Sequence, residues 1–186
     1  LGGEIHRQQP PIPEQVATES GQTVFTRSDI ETGRTVWQSI GGQQLGSIWG
    51  HGALVAPDWS ADWLHRESQA WLDLRARSQF NKVFIELSAG EQAKLKAELQ
   101  PDIRSNRFDV ATGKLTISDE RSKAIAAVAS HYESVFSTDP AGAALRETYA
   151  MKEGTVDTAE HRRQMGAFFF WTSWAAVTNR PGQEVS

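Results

Sequence analysis

The stretch that decides the fold is residues 29–52, Asp-Ile-Glu-Thr-Gly-Arg-Thr-Val-Trp-Gln-Ser-Ile-Gly-Gly-Gln-Gln-Leu-Gly-Ser-Ile-Trp-Gly-His-Gly. Four positions in its first half follow each other at three- and four-residue steps, which puts them on one helical face: Ile30, Gly33, Trp37 and Ile40. Gly33 costs a helix about 1 kcal/mol relative to alanine, so we expect a second helix to approach closely there. Glycine supplies five of the twelve residues from 41 to 52, which predicts turns instead of a regular element.

A helix followed by a glycine-rich loop resembles the start of a c-type cytochrome, in which Gly-x-x-Val-Phe leads into Cys-x-x-Cys-His. Counted from Gly33, the two cysteines would fall at Gly41 and Gln44, and the histidine at Leu45. Covalent haem attachment needs both thiols and axial ligation needs the imidazole, and these positions provide none of them. The pattern therefore indicates a cytochrome c scaffold that lacks its haem.

Composition excludes several classes of protein and site. The chain has no cysteine, which rules out disulfides, zinc–thiolate sites, iron–sulfur clusters and covalent haem within it. A net charge of −4 gives no electrostatic case for binding nucleic acid. Seven tryptophans indicate a large core, an interface, or both. The longest apolar run, 165–177, is shorter than the roughly 20 residues of a spanning helix, and the start at Leu1 suggests a piece of something longer.

Apolar periodicity and capping signals predict a mainly α fold with a small β-hairpin over 108–117. We interpret 1–22 as an extended lead-in and 23–186 as a single domain. Helices are expected over about 28–40, 60–78, 119–136, 140–149 and 157–177, with another from Ser88 that Pro101 ends or kinks. Capping boxes are predicted at three helix starts and single caps at two: Ser28–Glu31, Ser88–Glu91, Asp157–Glu160, Ser60 and Ser118.

The last helix is apolar nearly all round, and its sequence leaves two interpretations open. It is either buried on all sides, or it lies half in the core and half against a partner or membrane-proximal surface. The candidate interface residues are Phe168, Phe169, Trp171 and Trp174.

Catalytic and metal-binding patterns are weak. The five histidines are scattered, and Asp62 with His65 gives two possible metal ligands where a site needs more. His51, between glycines, could contact a ligand, although a hydrogen-bonded loop histidine is the simpler interpretation. The glycine loop lacks the Gly-Lys-Ser/Thr of a phosphate cradle. The chain by itself shows no catalytic constellation.

Longer stretches carry a specific resemblance. Residues 24–33 read Val-Phe-Thr-Arg-Ser-Asp-Ile-Glu-Thr-Gly, and residues 46–65 read Gly-Ser-Ile-Trp-Gly-His-Gly-Ala-Leu-Val-Ala-Pro-Asp-Trp-Ser-Ala-Asp-Trp-Leu-His. Residues 106–116 read Asn-Arg-Phe-Asp-Val-Ala-Thr-Gly-Lys-Leu-Thr, and residues 167–182 read Ala-Phe-Phe-Phe-Trp-Thr-Ser-Trp-Ala-Ala-Val-Thr-Asn-Arg-Pro-Gly. Together they resemble the N-terminal soluble region of the large subunit of quinol-dependent nitric oxide reductase. The similarity covers nearly the whole chain from about Pro11.

This resemblance implies a parent enzyme of the haem-copper oxidase superfamily in the bacterial cytoplasmic membrane. That enzyme reduces two nitric oxide molecules to nitrous oxide and water with electrons from quinol. Its haems and non-haem iron lie in the transmembrane part, and this region carries no cofactor. The resemblance also implies a cytochrome c-like helical core on the periplasmic or extracellular face. No catalytic motif of the family lies within 1–186.

Loss of a haem from such a fold would leave a cavity that costs about 24 cal/mol per Å³, so side chains must fill it. The candidates are Leu45, Ile48, Trp49 and Trp59. Two functions follow. The favoured one is a non-catalytic cap on the outer end of the transmembrane bundle of the same chain. The alternative is a ligand-binding module with a non-covalent haem or quinone pocket, in which His51, Met151 or Met165 would be the axial ligands.

Overall fold

The computed structural model describes residues 10–48, 51–52 and 57–179, without the side chains of 43, 44, 47, 51 and 52. The predicted mainly α architecture is confirmed. The helices are α1 Arg27–Ser39, the short α2 Gly42–Leu45, α3 Trp59–Phe80, α4 Ala89–Arg104, α5 Asp119–Phe136, α6 Ala143–Thr148 and α7 Ala159–Val177. Single 3₁₀ turns lie at Phe84–Glu86 and Pro140–Gly142.

A small sheet joins the start of the chain to the predicted hairpin. Its strands are β1 Gln15–Thr18, β2 Thr23–Thr26, β5 Phe108–Asp109 and β6 Lys114–Ile117, in the order β2-β1-β6-β5. The hairpin β5–β6 is antiparallel as predicted, with Gly113 at φ +72° in its turn. Strand β1 lies parallel to β6. A separate pair, β3 Ser47–Ile48 and β4 His51–Gly52, forms in the glycine loop, so the prediction that this loop has no regular element is wrong.

The end of the predicted lead-in is part of this sheet. Val16 and Ala17 of β1 are fully buried, and Val16 belongs to the main hydrophobic core. Sequence patterns did not indicate this pairing because β1 has only four residues, and its partner β6 lies about a hundred positions further along the chain. Burial of a strand this short depends on long-range contacts, which local patterns do not reveal.

The helix starts at Ser88 and Ser118 are confirmed. Three other predicted caps are wrong by one or two residues, since α1 is capped by Thr26, α3 by Asp58 and α7 by Thr158. In α1 the Thr26 hydroxyl accepts from the Asp29 N–H at 3.2 Å, and the Asp29 carboxylate accepts from the Thr26 N–H at 2.9 Å. Two of the displaced cap candidates, Ser60 and Asp157, make other contacts in the folded chain.

Ser60 donates its hydroxyl to Thr172 of α7 at 3.0 Å, inside the core, so it is not the cap of α3. The Asp157 carboxylate lies 2.8 Å from Nδ1 of His161 and leaves the cap of α7 to Thr158. Pro101 does not end its helix, because α4 continues to Arg104. Which of several adjacent Ser, Thr and Asp residues becomes the cap depends on such competing contacts, and the spacing of the cap signals does not reveal them.

Helix α7 lies at the centre of the molecule. Its residues 165–174 are all buried, which fits the interpretation of a helix surrounded on all sides. Helix α1 crosses it closely, and a Cβ at Gly33 would lie 1.9 Å from the Gln164 carbonyl oxygen. The close approach predicted at Gly33 is therefore confirmed. No helix among the described residues is long and apolar enough to cross a membrane.

A second, smaller core lies between α3, α4 and α5. Beside it, the buried Arg121 of α5 donates from Nε to the Glu67 carboxylate of α3 at 2.8 Å. The Trp63 indole N–H donates to the other oxygen of Glu67 at 3.0 Å. Sequence patterns did not indicate this ion pair, because its members lie 54 residues apart on different helices.

Candidate functional site

The region after α1 is where a c-type cytochrome would attach its haem. Gly41 follows α1 with φ +68°, and the short helix α2 covers the positions of Gln44 and Leu45. The backbone thus brings the three predicted attachment positions together in one tight turn. Leu45 is half-buried, and the side chain of Gln44 lies outside the described residues.

The Trp37 indole of α1 lies against this turn. A Cβ at Gly42 would fall 2.1 Å from the Trp37 ring, so only glycine allows the contact. Trp37 itself is buried, with its ring 5.6 Å from Phe169 and 6.3 Å from Trp59 at steep angles. The first helix therefore contributes a large side chain to the space next to the turn.

Trp59 occupies the centre of this space. It is fully buried at the start of α3, and a Cβ at Gly46 of the glycine loop would lie 2.5 Å from its Nε1. Its ring stacks on Phe169 with parallel planes at 5.5 Å. Three further rings surround it at centroid distances of 5.3, 5.6 and 6.0 Å: Phe136, Tyr149 and Tyr132. We call these five residues, with Trp37, the aromatic interior.

The other predicted pocket-filling residues that the structure describes, Leu45 and Ile48, are less buried than Trp59. Ile48 is half-buried and packs against the main core, and Leu45 is half-buried in α2. Trp49 lies outside the described residues. Sequence analysis missed Trp37, Phe136 and Tyr149 in this role. The available signal was their placement on apolar helix faces, which predicts burial without saying which space a ring fills.

The four candidate interface residues on α7 are all buried within the domain. Phe168, Phe169, Trp171 and Trp174 are each at most 5% exposed within the domain. Phe169 stacks on Trp59, Trp174 contacts Phe108 at 6.2 Å, and the Trp171 indole donates to the Pro11 carbonyl at 3.0 Å. Within the domain these rings therefore pack in the core, and docking of a partner through them stays a prediction.

The polar candidates are also placed by the fold. The Asp62 carboxylate accepts from the Tyr132 hydroxyl and from Arg66 Nε at 2.9 Å. His131 is half-buried, and its pKa is lowered by burial and then by the nearby charge of Arg66. The side chain of His51 lies outside the described residues. Among those that are described, no group of three or more acidic, histidine or cysteine side chains could hold a metal ion.

A surface cleft of about 330 Å³ lies between the end of α1 and the segment before α7, lined by Val36, Ile40, Val156, His161 and several hydroxyl groups. Pockets for drug-sized ligands or cofactors span roughly 300–1,000 Å³, so this cleft is at the lower limit. Met151 and Met165, the candidate axial ligands, are both buried in the main core.

The crossing of α1 and α7, the turn at Gly41 and the helices around Trp59 define a cytochrome c-like helical domain. A family model for the cytochrome c-like domain of NorB, a nitric oxide reductase subunit, matches residues 13–186, and the chain belongs to this family. A search of curated proteins gave no match.

Proposed function

We propose that the chain is a haem-less, non-catalytic periplasmic domain of a quinol-dependent nitric oxide reductase. It caps the outer end of the transmembrane catalytic bundle of the same chain. The parent enzyme converts two nitric oxide molecules and a quinol into nitrous oxide, water and quinone. In this proposal the haems and the non-haem iron belong to the transmembrane part.

The observation that carries the proposal is the position of Trp59. A haem-binding relative needs an apolar cavity beside the first helix and the turn after it, and here the fully buried Trp59 ring occupies that region. Parallel stacking on Phe169 at 5.5 Å leaves no separation into which a flat macrocycle could enter. The turn itself carries glycine and leucine at two of the attachment positions, Gly41 and Leu45.

In this proposal the domain takes no part in passing electrons from quinol to the catalytic part, because in the described residues aromatic side chains fill the interior. What it can supply is a rigid surface that stays attached to the catalytic part. The crossing at Gly33 and the bidentate ion pair between Arg163 of α7 and Asp29 of α1, at 2.7 and 3.3 Å, tie the ends of the domain together. Both features fit a structural role.

The proposed side of the membrane can be tested on the parent enzyme in intact cells. Ile85 is 84% exposed, and the chain has no cysteine of its own, so Ile85→Cys introduces a unique thiol into this domain. We expect a membrane-impermeant maleimide to label it without lysis. Ile30→Cys, at a fully buried position, is the matched control and should react only after denaturation. Labelling of Ile85→Cys that requires lysis would contradict a periplasmic location.

The non-catalytic role can be tested by comparing the parent enzyme carrying Trp59→Ala with the same enzyme carrying Val110→Ala, a change at an 81% exposed position. We expect Trp59→Ala to lower the yield and the thermal stability of the assembled enzyme. Nitric oxide turnover per mole of intact haem should remain unchanged. A fall in that turnover below the unfolding temperature would contradict the proposal and favour the ligand-binding alternative.

One observation favours the alternative of a retained haem or quinone pocket, namely the cleft of about 330 Å³ beside the end of α1. It has an apolar floor formed by Val36 and Val156 and a rim of hydroxyl groups. Haem or quinone bound there would be displaced by narrowing the cleft with Val156→Phe, whereas a cap without a pocket would show no binding to displace.

A further inference from the structure

Tyr132 and Asp62 form a buried hydrogen-bonded pair inside the domain. Tyr132 of α5 is 2% exposed, and its hydroxyl donates to Oδ2 of Asp62 on α3. Arg66 donates from Nε to the same oxygen at 2.9 Å. Burial, followed by the charge of Asp62, raises the pKa of Tyr132 well above its ordinary value. The phenol therefore stays protonated while a proton acceptor lies directly at its hydroxyl.

Tyr132 is also in contact with the two tryptophans at the start of α3. Its ring stacks on Trp63 at 5.5 Å with an interplanar angle of 13°, and meets Trp59 edge-on at 6.0 Å. Both tryptophans are fully buried. Indole and phenol are the most readily oxidised of the protein's ring systems, and here they touch one another without an intervening residue. A radical formed on either tryptophan by loss of one electron would therefore lie next to the Tyr132–Asp62 pair.

Packing alone does not account for this arrangement. A phenylalanine at 132 would fill the same space without bringing a hydroxyl and a carboxylate out of water. Taking a charged group out of water costs free energy even when the group is paired. Asp62 retains only 14% side-chain exposure and is balanced by Arg66. The pair therefore places a base at a redox-active phenol in a position where an apolar ring would suffice for stability.

We propose that Tyr132 and Asp62 form a one-electron redox site that quenches oxidising equivalents in the aromatic interior. A small-molecule radical oxidant removes one electron from Trp59 or Trp63 and is reduced. Tyr132 returns an electron to that tryptophan, its O–H bond breaks, and the proton bonds to Oδ2 of Asp62. The products are a neutral tyrosyl radical, protonated Asp62 and the reduced oxidant. An electron from a small reductant of the ascorbate class, with return of the proton, restores the phenol.

The chain contains only two tyrosines, Tyr132 and Tyr149, which makes the test direct. The purified protein is oxidised with photogenerated ruthenium(III) tris-bipyridine and frozen, and its radical is read by electron paramagnetic resonance. We expect a neutral tyrosyl signal in the unmodified chain and in Tyr149→Phe. The signal should be absent from Tyr132→Phe, in which tryptophan radicals form and decay instead.

Two further variants test the role of the carboxylate. Asp62→Asn keeps the size of the side chain but removes its capacity to accept the proton, and we expect at least a tenfold lower tyrosyl yield. Asp157→Asn changes an exposed carboxylate on another part of the surface and should leave the yield unchanged. An equal yield in Asp62→Asn, or a radical that resides on Tyr149, would overturn the proposal. Should Tyr132→Phe fail to fold, Tyr149→Phe leaves Tyr132 as the sole tyrosine and decides the matter alone.

Discussion

Replacement of Trp59 by alanine tests whether the ring fills the space that a haem would need. Burying a tryptophan removes about 150–250 Å² from water, which at roughly 25 cal/mol per Å² is worth about 4–6 kcal/mol. Measured losses for phenylalanine or tryptophan to alanine in cores are about 3–5 kcal/mol. Trp59 is fully buried with five rings around it, so we expect Trp59→Ala to lower the free energy of unfolding by about 4 kcal/mol.

Urea unfolding followed by far-ultraviolet circular dichroism measures this loss. With a slope of roughly 2 kcal/mol per molar urea, a loss of about 4 kcal/mol moves the midpoint down by about 2 M. Val110→Ala, at an exposed position, is the matched control and should change the free energy by no more than about 0.5 kcal/mol. Added indole should restore part of the loss, because a dry apolar cavity binds a ligand of matching shape.

A urea midpoint for Trp59→Ala close to that of Val110→Ala would contradict the prediction, since it would mean that the Trp59 ring is not held in a packed interior. A large loss without any rescue by indole would retain the packing argument but show that the cavity collapses. Urea unfolding with and without indole distinguishes these two outcomes.

Three other changes give expected outcomes of different kinds. Gly33→Ala forces its methyl group against the facing helix and should lower the free energy of unfolding, measured in urea, by about 1–3 kcal/mol, the range for an overpacked core. Gly90→Ala is the matched control: its methyl group meets nothing within 4 Å, and the change should raise the free energy of unfolding by up to about 1 kcal/mol. Arg121→Met leaves the Glu67 carboxylate buried without its partner and should lower the free energy of unfolding by about 3–5 kcal/mol. Adding Glu67→Leu should recover most of this loss. A double variant that is no more stable than Arg121→Met would contradict the role given to the ion pair. Because the pKa of His131 is lowered in the folded chain, the unfolded chain binds the proton first, so stability should fall as pH drops below about 6.5, and His131→Gln should flatten that pH dependence in thermal unfolding.

Much of the helical architecture could be predicted because its signals are local. The Ser88 box and the apolar stripe of the helix beginning at Asp119 depend on residues within a few turns, and both are confirmed. Gly33 could be interpreted correctly since a glycine on an apolar helix face has few explanations other than close packing.

The features that sequence analysis missed depend on contacts between distant residues. Three of them join elements far apart in the chain: the parallel pairing of β1 with β6, the Arg121–Glu67 ion pair and the Tyr132–Asp62 hydrogen bond. The sequence left two interpretations of α7 open because apolar character alone does not distinguish a partner protein from the domain's own core.

The role of Trp59 as a filling residue stays a prediction, and the structure adds that its ring lies against Gly46 of the glycine loop. Trp37 joins it through Gly42, whose missing side chain makes room for the indole. That relation between a glycine and a ring five positions earlier has no periodic signature, and only the turn at Gly41 brings the two together.

The central claim is that the interior has no room for a haem, and the most direct measurement is an absorption spectrum of the purified chain after incubation with haem and reductant. We expect no Soret band above that of free haem in either redox state, for the unmodified protein and for Val110→Ala alike. A stoichiometric, protein-dependent Soret band that shifts on reduction would contradict a filled interior. In that event Met151, Met165 and His51 would be the side chains to replace first.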